Sequence, residues 1–476
     1  LEWLPNYTTS RFKGDFIAGI TVGIILIPQG IAYALIAGLP PIYGLYSALV
    51  PQVMYAVFGS SRQVAIGPVA MDSLIVAAGV STLALVGSDS YIAIAILLAL
   101  VVGAIQFLMG VFRLGFIVNF LSKPVITGFT SAAALIIGFN QFRNLFGVDF
   151  VRSNQIQVVV KDVWNNISSL NIHTTVIGFI AIFIILSLRK INKKIPNALL
   201  VVILGILAIK FLGKNLSDVA IIKEVPSGLP SFSVPEIDFH QIRELLPIAL
   251  TLVLVGFLET ISIGKSLEAK QDEYRIRPNQ ELIALGISNM AGSFFKAYPT
   301  TSSFSRSAIN QESGGTTGVA ALVSVGIVVL TLLFLTPVFY YLPKTVLAAI
   351  IIVAVFGLVR VKDGIHLWKA NKLDFSLLLT TFLATLFLGI EYGIFAGVGM
   401  SIIILIFRTS KPYIAILGAV PDSDFYKNSE RFKNVILEED LLVIRFDAQL
   451  FFANASYFRD NLDAVSYTHL RAHETL

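Results

Sequence analysis

There is no cysteine among the 476 residues, which excludes disulfides, thiolate chemistry and cysteine-held metals. Charge is scarce too. Only 14% of the residues are Asp, Glu, Lys or Arg, against about 25% in soluble domains. Histidine is rarer still, and two of the five, His469 and His473, fall in the last twelve residues. The chain carries no Walker motif, no nucleophile–base arrangement and no cluster of metal ligands. An enzyme is therefore not expected, nor is a cofactor, a metal site or a nucleic-acid partner. What abounds is apolar: 55% of the residues, with a mean hydropathy of +0.79. The chain reads as an integral membrane protein whose constant partner is the lipid bilayer. Leu1 to Asp15 is polar and mixed, and the apolar stretch after it is too long for the core of a cleaved signal peptide. Because residue 1 is not Met, the sequence reads as starting inside a longer chain.

About fourteen apolar segments follow one another between Phe16 and Phe407, several shorter than the ~20 residues of a simple span. Basic residues cluster between them at Arg113/Lys123, Arg189 to Lys194, Lys265 to Arg277 and Arg360 to Lys372. With the N-terminus inside the cell, every cluster falls on the cytoplasmic side, as positive-inside placement requires. Arg408 and Lys411 put the C-terminus inside as well. The expected location is a cell membrane, a bacterial inner membrane, crossed many times. The link Gly213–Glu244, with Pro226, Pro230 and Pro235, then lies outside as an extended connector.

The apolar order repeats. Phe16 to Glu244 is a step of 228 residues, and Pro68 to Pro299, the starts of two short segments, is a step of 231. Each short segment follows residues suited to an extended strand, Gln63 to Ile66 and Ala297-Tyr298. Paired short segments interrupted by proline mark the midplane site of many transporters. The second pair member holds the most polar stretch of the membrane part, Tyr298-Pro-Thr-Thr-Ser-Ser-Phe-Ser-Arg-Ser-Ala-Ile-Asn310. Ser302, Ser303 and Ser305 are candidate N-caps for a short helix from Phe304 to Asn310. A helix N-terminus offers unpaired N–H groups and partial positive charge, and so attracts anions. Arg306 adds a full charge, at a cost of about 2.5–3.5 kcal/mol on insertion scales.

After Phe407 the composition changes. Lys411 to Lys433 is polar, Asp440 to Phe446 reads as a strand, and Phe451 to Leu462 as the start of an amphipathic helix. These features read as the opening of a soluble domain over residues 411–464. Residues 465–476 break the pattern and read as a non-native tail without function.

These stretches resemble the sulfate permease (SulP) family, which includes solute carrier family 26. The resemblance covers about residues 9–464. It is carried by Ile27-Pro-Gln-Gly-Ile-Ala-Tyr33, Pro40-Pro-Ile-Tyr-Gly-Leu-Tyr46, Gly59-Ser-Ser-Arg-Gln-Val-Ala-Ile-Gly-Pro-Val-Ala70, Asn279-Gln-Glu-Leu282, Gly286-Ile-Ser-Asn289 and Ser303-Phe-Ser-Arg-Ser-Ala308. Leu450-Phe-Phe-Ala-Asn-Ala455 resembles the family's STAS domain, here shorter than usual. The resemblance implies an all-α polytopic membrane protein with fourteen transmembrane segments in seven-plus-seven inverted repeats. We place the transport domain at 1–410, with repeats at about 11–213 and 240–410. The resemblance also implies core and gate domains and a homodimer.

By the same resemblance, sulfate or a related small anion lies between the N-termini of two short helices starting near Val69 and Phe304. Val69, Ala70, Ser303, Phe304, Ser305 and Arg306 then line it. Gln29 and Tyr33, four residues apart on one helix face, both offer donors to an oxyanion. A hydrogen bond between helices would use them equally well, and an ordinary kink would explain Gly67-Pro68. Glu259 ends a long apolar run. A carboxyl there can carry a symported proton or pair with Arg306 or Lys265. Asp72 supports the first short helix or titrates as a second group. Glu281 and Asn289 are expected to hold helices together. The expected function is secondary transport of inorganic anions, sulfate by proton symport, with sodium as the other coupling ion. An exchanger or channel-like conductor of bicarbonate, chloride or dicarboxylate is the alternative. A nucleobase permease would need carboxylates where Arg306 and serines stand.

Overall fold

Prolines and glycines set where the apolar chain bends. In the computed structural model they separate α1 (Thr9–Ile36), α2 (Pro41–Tyr46), α3 (Val50–Phe58), the two-residue β1 (Ile66–Gly67) and the short α4 (Ala70–Val80). Then come α5 (Asp89–Val111), α6 (Lys123–Asn140), α7 (Phe142–Phe146), α8 (Ile156–Asn166), α9 (Ile172–Ile191) and α10 (Asn197–Leu212). The second half opens with α11 (Phe239–Glu268), α12 (Pro278–Ser293), β2 (Thr301–Ser302) and the short α13 (Phe304–Glu312). It continues with α14 (Val319–Leu330), α15 (Lys344–Phe356), α16 (Val361–Ala370), α17 (Lys372–Leu388) and α18 (Ile390–Ser410). The structure describes residues 4, 7–116, 122–148, 153, 155–191, 197–212, 216–223, 225–269, 274–357, 359–421, 423–437 and 441–470. Lys193, Lys194, Lys270 and residues 471–476 of the tail expected over 465–476 lie outside these.

Among the described residues, seven helices are long and apolar enough to cross a membrane. The short apolar helices Ala70–Val80, Asn197–Phe211 and Phe395–Ser410 accompany them. The chain divides into two compact units, Leu1–Gly397 and Val398–Leu476. The division falls within α18, ahead of the change in composition at residue 411.

In the first unit α1 packs on α14, α11 on α5, and α12 on both α3 and α5. Inside a bilayer, helices have no hydrophobic drive toward one another, so close approach through small residues matters. A Cβ on Gly44 would overlap the Gly30 carbonyl oxygen where α2 crosses α1. At the α5–α12 crossing a Cβ on Gly286 would sit 2.5 Å from the Phe107 backbone nitrogen. The described residues of the expected connector, 216–223 and 225–238, hold no helix. It runs along the second half, with Ile222 N–H donating to Leu342 O, Gly228 N–H to Leu332 O and Ser233 N–H to Phe294 O.

Two buried carboxylates lock the loops. Asp15 on α1 accepts from Thr316 N–H at 2.6 Å, Thr317 N–H at 3.0 Å and Tyr7 O–H at 3.1 Å. Burial, and then the nearby Asp15, push the Tyr7 hydroxyl up to about 12, so Tyr7 stays a donor. Glu281 accepts from Tyr55 O–H at 2.5 Å, Ser60 N–H at 2.8 Å, Ser60 O–H at 2.6 Å and Ser61 N–H at 3.2 Å. Its expected role of holding helices is what the geometry displays. Glu281→Gln replaces an acceptor with a donor among those four groups, and should lower stability by about 1–3 kcal/mol. Thermal unfolding of the purified protein in detergent checks this; an unchanged midpoint would rule out the lock.

The second unit holds a three-stranded antiparallel sheet in the order β4 (Tyr426–Asn428), β3 (Ile414–Ala419), β5 (Val443–Phe446). Helix α19 (Ala455–Leu470) follows. Strand β5 lies inside the expected strand 440–446. Strands β3 and β4 occupy the stretch that composition marked only as polar. The helix begins four residues after the expected Phe451, because Asn454 ties its own turn. Its side-chain oxygen accepts Phe451 N–H at 3.0 Å and its amide donates to Gln449 O at 3.0 Å.

Candidate functional site: two helix N-termini around a buried arginine

The site is organised by the shortest sheet in the molecule. Strands β1 and β2 pair antiparallel, Ile66 opposite Ser302 and Gly67 opposite Thr301. Each strand leads at once into a short helix, so the antiparallel pairing turns the N-termini of α4 and α13 toward one another across the ladder. Both strands begin three or four residues later than expected, because the residues before β2 are clamped from elsewhere. Tyr298 N–H donates to Ser47 Oγ at 3.0 Å. Asn289 brackets Thr300, accepting its N–H at 2.8 Å and donating to its carbonyl at 3.1 Å, and also donates to Gln106 Oε1 at 3.0 Å. Next to β1 the ladder extends by one backbone bond, Ser303 N–H donating to Ala65 O at 3.0 Å, and one side-chain bond, Ala65 N–H donating to Ser307 Oγ at 2.9 Å.

Of the three candidate caps, Ser303 caps α13, its hydroxyl oxygen accepting Arg306 N–H at 3.5 Å. Helix α4 has Val69 in the capping position and no side-chain cap. The first N–H groups of α4 and of α13, from Ala70 and Phe304 onward, thus have no partner within their helices. Val69 and Ala70 are buried, whereas Phe304 is 54% exposed and Ser305 is exposed.

Arg306 is wholly buried. Its Nη1 donates to Gln29 Oε1 at 3.1 Å, while Nε and Nη2 have no hydrogen-bond partner among the described residues. A Cβ on Gly67 would lie 3.3 Å from Nη2, so the glycine lets the strand approach the guanidinium. Gly67 also has φ +149°, a backbone region that favours glycine. Tyr33 and Tyr298 lie within electrostatic reach of Arg306. The structure thus brings Gln29, Tyr33 and Arg306 together, while Val69 and Ala70 stand at the start of α4 and Ser303, Phe304 and Ser305 at the start of α13.

Glu259 stands apart from this group. The ion pairs considered for it are not formed: Arg306 meets Gln29, and Lys265 bridges Glu268 at 2.6 Å, one turn further on. The reason is position, since α11 runs past β2 and carries Glu259 within electrostatic reach of Asp72 instead. Asp72, in the first turn of α4, accepts the Thr301 hydroxyl on Oδ2, and its Oδ1 has no partner. Thr260 donates to Ser302 Oγ at 2.9 Å. Thr260, Thr301 and Tyr298 are the site residues the linear pattern did not single out. The adjacency of Thr260 to Glu259 and the hydroxyl run 300–303 were the available signals.

Comparison with known proteins shows the family. Residues 12–381 match the sulfate permease family. Sulfate transporter 4.1, chloroplastic, of Arabidopsis thaliana is 41% identical over 470 residues, covering 97% of this chain and 68% of the relative. High affinity sulfate transporter 2 of Stylosanthes hamata is 36% identical over 475 residues, covering 97% and 72%. Among solved structures, the murine solute carrier 26 family member A9 anion transporter in its inward-facing state superposes with a TM-score of 0.89 at 28% identity. It covers 97% of this chain and 79% of that one. The chain is a multi-pass membrane protein and belongs to the sulfate permease family.

Proposed function

We propose that this protein is a secondary active transporter that carries sulfate together with protons. The anion binds between the N-termini of α4 and α13, with access alternating between the two sides of the membrane. The observation that carries this reading is Arg306: a wholly buried guanidinium with Nε and Nη2 unpartnered. A buried charge is normally paired and its donors satisfied. Two free donors beside two helix N-termini offer an anion both positive charge and hydrogen bonds. Gln29 orients the guanidinium, and Tyr33 supplies a hydroxyl within reach. Glu259 carries the proton, placed on the helix that flanks the site rather than against the arginine. The named sulfate transporters among the relatives support sulfate as substrate.

We further propose that the membrane part makes about fourteen crossings in two inverted repeats, with both termini cytoplasmic, and that the protein is a homodimer. The order of elements supports the repeats. Helices α1, α2–α3, β1, α4 and α5 are echoed by α11, α12, β2, α13 and α14. Thr9 to Phe239 and Asp89 to Val319, the starts of corresponding long helices, are both steps of 230 residues. The contact of α1 with α14 is echoed by that of α11 with α5. Residues 411–464 we take as the beginning of a STAS domain.

Counter-flow uptake of labelled sulfate into proteoliposomes, with a panel of unlabelled anions, tests the substrate. Sulfate should compete best. Competition by bicarbonate, chloride or a dicarboxylate, with sulfate inert, would move the exchanger or channel reading ahead. Because every proposed ligand precedes residue 311, deleting everything after Arg408 should leave anion binding intact in a folded protein, measured as a sulfate-dependent rise in melting temperature. Loss of that rise would assign part of the site to the second unit.

A further inference from the structure

Asp72 has no role in the transport scheme above, yet its setting is unusual. It is wholly buried, Oδ2 is held by the Thr301 hydroxyl, and Oδ1 has no hydrogen-bond partner. The Thr301 side chain packs against α11 at Gly256, where an added Cβ would overlap its methyl group. Glu259 lies three residues on from Gly256, on the same side of α11, and within electrostatic reach of Asp72. Thr301 therefore joins the Asp72 carboxylate to the helix face that carries Glu259.

Helix α4 packs on α1, α5, α6 and α11. On α5 and α6 the charged residues are Asp89 and Lys123, each the first of its helix. On α1 the nearby titratable group is Tyr33, and on the segment before β2 it is Tyr298, which lies within electrostatic reach of Asp72, Arg306 and Tyr33. On α11 the nearest cation in sequence, Lys265, is bridged to Glu268, and on α12 Glu281 is spent on Tyr55, Ser60 and Ser61. Among the described residues no cation is ion-paired with either Asp72 or Glu259. Two carboxylates, Asp72 buried and Glu259 half-buried, thus lie within reach of one another with no counter-ion among the described residues, a setting that favours binding of protons. Asp72 also sits in the first turn of α4, whose N-terminus faces the anion, so a negative charge there opposes a dianion.

We propose that Asp72 and Glu259 form a two-carboxylate proton site, each holding one proton when a dianion is bound at Arg306, so that sulfate crosses with two protons. The cargo is then electrically neutral: two protons are taken from the side of uptake, one by each carboxylate, and both are released with the anion on the other side. This rests on the reading of Arg306 as the anion site and Glu259 as a proton carrier, and adds Asp72 as the second carrier.

The stoichiometry is read from equilibrium accumulation, which does not depend on how the protein is oriented in the vesicle. The full chain is reconstituted in sodium-free proteoliposomes with the membrane potential clamped at zero by potassium and valinomycin. Sulfate is followed to its final ratio under an imposed pH difference. Each coupled proton contributes about tenfold per pH unit, so the wild type should reach about a hundredfold and Asp72→Asn about tenfold. Asp72→Asn matching the wild type would overturn the proposal, and so would a wild-type ratio of about tenfold, or accumulation driven by a sodium gradient alone. Should Asp72→Asn fail to purify folded, Glu259→Gln decides: about tenfold accumulation remaining assigns the second proton to Asp72, and none remaining overturns the proposal while sparing Glu259. Sulfate binding retained in Arg306→Ala would instead sink the underlying anion site, whatever the ratios.

Discussion

Arg306→Ala is expected to abolish sulfate binding and uptake in a protein that still inserts and purifies as a folded species. The charge removed is wholly buried, and its hydrogen-bond partner is the Gln29 side chain at 3.1 Å. Removing one member of a buried ion pair strands the other charge, but among the described residues no carboxylate is paired with Arg306, so no charge is stranded and only Gln29 Oε1 loses its donor. The substitution also relieves a placement cost of about 2.5–3.5 kcal/mol on insertion scales. The melting temperature without anion should therefore hold or rise, while the increase produced by sulfate disappears. Arg306→Lys should recover only part of the binding. A point charge cannot reproduce the planar fork, of which one arm is engaged by Gln29 and two nitrogens remain free for an oxyanion. Binding measured by sulfate-dependent thermal shift and by labelled uptake tests both variants. Unchanged sulfate affinity in Arg306→Ala would remove this residue from the site.

The second large effect is expected at Glu259. Wild-type uptake should rise when the outside is acidified, and Glu259→Gln should lose at least about tenfold in accumulation per unit of imposed pH difference, one proton's share. Anion binding should survive, because Glu259 does not touch the Arg306 guanidinium. Exchange of labelled for unlabelled sulfate should also survive, since it needs no net proton movement. Coupling is reciprocal: if a proton on Glu259 favours the anion, the anion favours the proton. A Gln variant that concentrates sulfate as strongly as the wild type would exclude Glu259 as a carrier.

Much of this arrangement is legible in the linear chain because membranes impose strict local rules. Scarce charge and long apolar runs announce the bilayer. A serine run followed by arginine inside such a sequence marks a helix start with few innocent explanations. Accordingly α13 begins at Phe304, the expected residue, and α4 begins at Ala70, beside the expected Val69. Strand positions were less legible: the pairing of β1 with β2 is two residues long, and its register is set by Asn289 and Ser47 gripping residues 298–300. No periodicity in the strands themselves encodes that grip. Strands β3 and β4 escaped notice for a related reason, being short and only partly buried, without a clean alternation.

The sequence by itself determined that the chain crosses membranes, that its polar centre lies around residues 298–310, and that the two short helices form a pair. Hydropathy, capping chemistry and spacing are local properties, and a bilayer leaves backbone groups little choice but helix. Only the tertiary structure decided who meets whom. It gave Arg306 to Gln29 instead of Glu259, and Asp72 to Thr301. It also brought two carboxylates from helices 187 residues apart in sequence, at Asp72 and Glu259, to one region. Those outcomes depend on how α11 passes β2 and on which small residues, Gly67 and Gly256 among them, let side chains close. Such contacts are set by packing between distant segments, which no local pattern specifies.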